Sequence, residues 1–203
     1  MVLLDALRNN LAKLTDFSGR EARGSFLIYA GFVVPILFAG IFLAMVPEMF
    51  TAMERMQTFA AENPELATVT QNGSSYSIRI EGHHPELMPD FGAMFAGMSV
   101  IAGLAVLLLG ASVSRRLHDT GKTGFLGLLP LPFLAFAFIL MPRLFAAFTA
   151  EPGSDLPFDP VIFAALFLNN MVYLATLALL IYLLTRDSTP GENKYGPALE
   201  KGD

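Results

Sequence analysis

Four long stretches of the chain carry no Asp, Glu, Lys, Arg or His, and the polar positions gather between them. They cover residues 24–46, 91–114, 124–141 and 161–185. A hydrocarbon core takes about 20 helical residues to cross, so each run predicts a transmembrane helix. Pro35, Pro130 and Pro132 interrupt the runs, but a membrane span tolerates proline. Ahead of them, Leu3, Leu4, Leu7, Leu11 and Leu14 recur at helical spacing, with Asp5, Arg8, Asn9 and Lys13 off that stripe. That pattern predicts an amphipathic arm over 1–23, lying in the membrane interface or packed on the rest of the protein. Residues 47–90 form the longest polar segment. Met49, Met53 and Met56 predict a short helix after the first span, ended by Pro64. Thr68-Val69-Thr70 and Tyr76–Ile80 around Asn72-Gly73 carry a β-hairpin signal. Residues 142–160 are rich in Pro and acid, 115–123 form a short charged loop, and 186–203 are a polar tail. The fold expected is all-α and integral to the membrane. It has four transmembrane helices, an N-terminal amphipathic helix and an outer loop with a short hairpin.

Composition agrees with a membrane location. The chain is 54% hydrophobic and 15% charged, where a soluble domain is about 25% charged. A net charge of -5 offers no basic face for nucleic acid. The absence of Cys excludes disulfides, thiolate metal sites and cysteine nucleophiles. The position of the bases says more than their number. Ten of the 13 Lys and Arg lie in 1–23, 115–123 and 186–203, and three lie in the two intervening loops. The positive-inside rule puts both termini and the 115–123 loop in the cytoplasm.

The densest chemistry is the stretch Ser114–Gly124. Gly121-Lys122-Thr123 is no phosphate loop, because Arg116 stands where the required upstream Gly belongs and a membrane helix precedes it. Arg115 and Arg116 suit the C-terminal dipole of the second span and have the length to snorkel to lipid headgroups. The stretch reads first as a topology anchor and tight turn through Asp119, Gly121 and Gly124, and with Lys122 the arginines otherwise predict attraction to anionic lipid or a site for an unknown protein partner. His118 beside Asp119 suggests an acid–base pair, but neighbours on a helix do not face each other. No catalytic residue, cofactor or metal is assigned. His83, His84, Glu81 and Glu86 lack a regular metal spacing. The spans hold no Asp, Glu, Lys, Arg or His, which counts against an ion-coupled transporter. Asn169 and Asn170 are their most polar pair and predict interhelical hydrogen bonding.

Three stretches, in this order, carry a family resemblance. They are Phe17-Ser18-Gly19-Arg20-Glu21-Ala22-Arg23, Arg115–Gly124 and Pro190-Gly191-Glu192-Asn193-Lys194-Tyr195-Gly196-Pro197. The chain resembles the bacterial inner-membrane family called domain of unknown function 805. Where that family usually has Trp, this sequence has Phe26-Leu27 and Phe125-Leu126. The resemblance implies a bacterial cytoplasmic membrane and brings no activity. All three stretches lie on the side that the charge count makes cytoplasmic, so they are expected to meet. Arg20 or Arg23 would pair with Asp119, and Tyr195 would pack near His118. The expected binding surface is Arg20, Arg23, Arg115, Arg116, His118, Asp119, Lys122 and Tyr195. The leading functional expectation is non-enzymatic binding of a partner protein or anionic lipid at this face, with oligomerisation open. A small channel or transporter using Asn169 and Asn170 is the alternative, and a lipid-headgroup enzyme using His118 and Asp119 the third.

Overall fold

The computed structural model describes residues 3–150 and 159–197; Lys201, one of the bases counted above, and Glu151 and Asp155 of the acid-rich 142–160 segment lie outside them. Among the described residues there are five α-helices and one two-stranded antiparallel sheet. The order is α1 (Leu3–Ala12), α2 (Arg23–Glu62), β1 (Ala67–Asn72), β2 (Ser75–Ile80), α3 (Phe91–Asp119), α4 (Leu131–Thr149) and α5 (Pro160–Thr185). Two 3₁₀ turns, Pro85–Leu87 and Gly124–Leu128, precede α3 and α4. Four of the helices are long and apolar enough to cross a membrane, so this is a multi-pass membrane protein. Successive spans pack on one another in chain order, and α5 also touches α3.

The helix α2 differs from the expected span plus separate helix. It runs unbroken for 40 residues, roughly 60 Å at 1.5 Å per residue and about twice a hydrocarbon core. Pro35 and Pro47 lie inside it. Each removes one backbone donor, and the i, i+4 apolar pattern through Met49 and Met53 carries the helix past Pro47. Its last turns stand clear of the apolar belt and hold the polar segment 63–90. Ala52 and Ala60 are buried there, and Arg55 Nη1 donates to the carbonyls of Glu86 (3.2 Å) and Met88 (3.1 Å). The hairpin pairs Ala67 with Ile80 and Asn72 with Ser75. Its turn is therefore Gly73-Ser74, one residue later than the Asn-Gly signal, with Gly73 at φ 61° as the first position of a type II′ turn requires.

At the other end of the spans, α3 was expected to stop at 114, yet it continues to Asp119. Nothing in Arg115–Asp119 breaks a helix; the stop comes from Gly121. With φ at 74°, Gly121 donates its N–H to His118 O (3.0 Å), and Lys122 N–H reaches back to Leu117 O (2.9 Å), which is a Schellman ending. The chain then turns back tightly against α3. A Cβ on Gly124 would lie 2.1 Å from Ser114 Oγ and 3.0 Å from Ser114 Cβ. We expect Gly124→Ala to destabilise the protein by about 1–3 kcal/mol through overpacking. Thermal unfolding in detergent checks this, and Ser114→Gly in the same chain should recover part of the loss. An unchanged midpoint for Gly124→Ala would contradict this close approach.

The buried core lies at this end of the bundle, not at mid-membrane. Phe26, Leu117, Leu180, Leu183 and Leu184 form it, joined by Val113 and Leu126. Farther along the spans, Phe38, Phe42, Leu107 and Leu168 are exposed. Apolar surface in contact with lipid costs nothing, so only the membrane-surface end needs a closed core. Two polar side chains within the spans bond to a neighbouring helix: Tyr29 OH donates to Leu108 O at 2.8 Å, and Asn169 Nδ2 to Phe133 O at 2.9 Å. The helix α1 packs through Ala6 and Asn10, while Leu4 and Leu11 of the leucine stripe stay exposed.

Candidate functional site

The ends of α2, α3 and α5 converge where the charged stretches meet. Arg116 and Asp119 are three residues apart on α3 and share a face. Both side chains are fully buried and paired to each other. Arg20, from the turn before α2, donates its Nε to the other oxygen, Asp119 Oδ1, at 2.9 Å, and its side chain is 2% exposed. Ser188, just after α5, donates its hydroxyl to Asp119 Oδ2. The carboxylate is thus held between two guanidiniums and a hydroxyl.

Those guanidiniums also satisfy backbone groups that helix ends leave open. Arg116 Nε donates to Leu184 O at 2.9 Å and Nη2 to Arg186 O, closing the C-terminus of α5. Arg20 donates to Thr189 O (2.8 Å), Gly191 O (2.8 Å), Pro197 O (3.2 Å) and Gly196 O (3.5 Å), so one side chain grips the tail at four carbonyls. The tail in turn caps α3. Thr189 N–H and its hydroxyl both donate to Asp119 O at 2.9 Å, and Asn193 Nδ2 donates to His118 O at 3.0 Å. Two helix C-termini point into the cluster, and their partial negative charge favours the buried arginines.

A second ion pair locks the N-terminal arm. Arg115 is 4% exposed. Its Nη2 lies 3.2 Å from Glu21 Oε2 and donates to Asn10 Oδ1 at 2.7 Å; Nη1 donates to Lys13 O and Asp16 O. Ser112 Oγ donates to the same Glu21 oxygen at 2.9 Å. Bonds from the Ser18 hydroxyl and N–H hold the Asp16 carboxyl below its usual range and shape the turn between the arm and α2.

The eight residues expected to form a binding surface therefore separate into two sets. Arg20, Arg115, Arg116 and Asp119 are buried and bonded internally. Arg115 and Arg116 do not snorkel: helix carbonyls and buried carboxylates take up their donors. Arg23 pairs with Asp187, not Asp119, at 2.8 Å on the surface. His118 and Asp119 point apart. His118 Nδ1 lies 3.1 Å from Gly19 O, which only accepts, so that nitrogen carries the hydrogen. Its ring stacks on Tyr195 with centroids 3.8 Å apart and planes 8° from parallel, and Lys194 Nζ lies 4.9 Å from the Tyr195 centroid on the outside. Lys122, Arg186 and Lys194 are exposed. In the 63–90 segment the histidines bond separately: His83 to Thr149 O, and His84 to Glu81 O and the Glu86 carboxylate.

The binding-surface expectation omitted Glu21, Ser112, Asn10, Ser188, Thr189 and Asn193, which complete this cluster. Glu21 carries a signal, since an acid between Arg20 and Arg23 beside an apolar run faces a costly environment unless paired. The others are short polar side chains with no pattern of their own.

No curated protein and no solved structure matches the chain. A comparison with protein-family models matches residues 14–197, from just after α1 to the end of the described tail, to the family described as protein of unknown function (DUF805). That match takes in all three interlocking stretches and the four spans between them, and the chain belongs to the DUF805 family.

Proposed function

We propose that this is a non-enzymatic protein of the bacterial inner membrane, with both termini in the cytoplasm, whose motif face binds anionic phospholipid headgroups. The observation that carries the reading is the division among the bases. Arg20, Arg115 and Arg116 are consumed in holding the fold, while Lys122, Arg186 and Lys194 stand exposed around the sealed cluster. Phe125, 79% exposed, lies three residues from Lys122, and the Arg186 guanidinium lies 5.8 Å from the Tyr182 ring centroid. Bases beside exposed aromatics at span ends suit the headgroup layer. The excess of Lys and Arg on this side supports the cytoplasmic assignment.

Each exposed base near an anionic leaflet contributes about 1 kcal/mol, so three together favour anionic lipid by up to about a hundredfold. The test is native mass spectrometry of protein purified with phosphatidylglycerol and phosphatidylethanolamine in equal amounts. Preferential retention of the anionic lipid is expected. The triple variant Lys122→Ala, Arg186→Ala, Lys194→Ala should lose that preference at least tenfold. Equal retention of both lipids by the unaltered protein would overturn the reading, and a stoichiometric co-purifying protein would redirect it to a protein partner.

A further inference from the structure

Asn169 and Asn170 are adjacent in α5, and the two amides have different surroundings. Asn169 is bonded to α4. The Asn170 side chain is exposed and makes no hydrogen bond among the described residues. It lies ten residues from Pro160 and fifteen from Thr185 in α5, about 15 Å and 22 Å along the axis at 1.5 Å per residue. That depth is hydrocarbon, where an amide has no water to bond and is expensive to leave alone.

Phe167, Leu174 and Ile181 lie on the same stripe as Asn170, spaced by three, four and seven residues, and are 56%, 49% and 53% exposed. The buried Leu166 and Leu184 lie about 40° to one side of Asn170, with Leu180 and Leu183 farther round that way, so the packed face of α5 borders the stripe on one side and Phe167, Leu174 and Ile181 lie on the other. The Asn170 stripe therefore faces outward as an apolar strip with one polar group in it.

We infer that α5 pairs with α5 of a second copy of this chain along this stripe, each Asn170 donating Nδ2–H to the Oδ1 of the other. The side chain itself selects that occupant. An amide carries both donor and acceptor, so a two-fold axis beside it satisfies both copies at once. Acyl chains offer neither group. The flanking Phe167, Leu174 and Ile181 supply the packing that membrane helix pairs need beyond the polar bond.

The chain has no cysteine, so single-cysteine cross-linking gives a clean readout. Leu174→Cys and Val172→Cys are each oxidised in native membranes; Val172 is 43% exposed but lies across the helix from Asn170. Leu174→Cys should cross-link to a species of twice the chain mass, and Val172→Cys should not. Adding Asn170→Leu should lower the Leu174→Cys cross-link at least fivefold, while Asn170→Gln, which keeps the amide, should retain it. No cross-link at Leu174→Cys, equal cross-linking at both positions, or an adduct of another mass overturns the inference. So does a cross-link that Asn170→Leu leaves unchanged. Gel filtration checks that Asn170→Leu is folded, which is expected because the side chain makes no bond within the described chain.

Discussion

Asp119→Ala is expected to destabilise this protein more than other single substitutions at the motif face, by about 3–5 kcal/mol. The carboxylate accepts from Arg20 Nε at 2.9 Å, from Arg116 Nη1 and from the Ser188 hydroxyl, with both ion-paired partners at most 2% exposed. Removing it leaves two guanidiniums buried without a counter-charge, and the cost is mainly that of stranding them. A typical protein is stable by only about 5–15 kcal/mol, so the loss is a large share of the total. At roughly 2–4 °C per kcal/mol for a chain of this size, the thermal midpoint in detergent should fall by about 10 °C. Tail residues 187–197 should become protease-sensitive at the same time, because Arg20 holds Thr189, Gly191 and Pro197 only while Asp119 orients it. A midpoint within about 3 °C of the parent, equivalent to roughly 1 kcal/mol, would show that the pair is not the anchor described. The Arg23–Asp187 pair on the same face is a useful contrast. With side chains 49% and 92% exposed, it is screened by solvent and contributes at most about 1 kcal/mol.

The pairing of Arg20 with Asp119 and the packing of Tyr195 near His118 could be expected from the chain alone, given one premise. If the charge count sets three polar stretches on one side of the membrane, they have little room to avoid each other. The spans were legible for a similar reason: an uncharged run of 20 or more residues has few other uses. The fate of Arg115 and Arg116 was not legible. A basic residue at a helix C-terminus can point along the lipid surface or into the neighbouring helix end, and periodicity does not separate these outcomes. Leu184 O and Arg186 O decide it for Arg116, and those carbonyls are nearly 70 residues away in the chain. Glu21 shows the same limit. The uncharged runs contain no carboxylate by sequence, yet the turn before α2 folds back and places that of Glu21 against Ser112 within α3. The uncharged run ends before Glu48, which marks the end of a span and not the end of the helix, so the continuation of α2 to Glu62 was read as a separate short helix.

Arg115→Ala should have the second-largest effect, and a separable one. Arg115 connects Glu21 Oε2, Asn10 Oδ1, Lys13 O and Asp16 O, so it joins α1, the turn and α3 through one planar group. Its loss strands the Glu21 carboxylate, which is 6% exposed and keeps only the Ser112 hydroxyl as a side-chain donor. Breaking a buried pair in this way costs about 3–5 kcal/mol. The cost here should fall toward the lower end, because α1 can swing away and admit water to Glu21. Hydrogen exchange then distinguishes this site from Asp119. Arg115→Ala should expose the amides of residues 3–16 while residues 187–197 stay protected, and Asp119→Ala should do the reverse. Arg115→Lys should rescue little, since an ammonium lacks the planar fork that reaches acceptors on separate segments. The double variant Arg115→Met, Glu21→Gln should recover more than Arg115→Lys, because it removes the stranded charge together with its partner. Equal exchange in both segments for both variants would mean that the two ion pairs form a single cooperative unit and do not hold the arm and the tail separately.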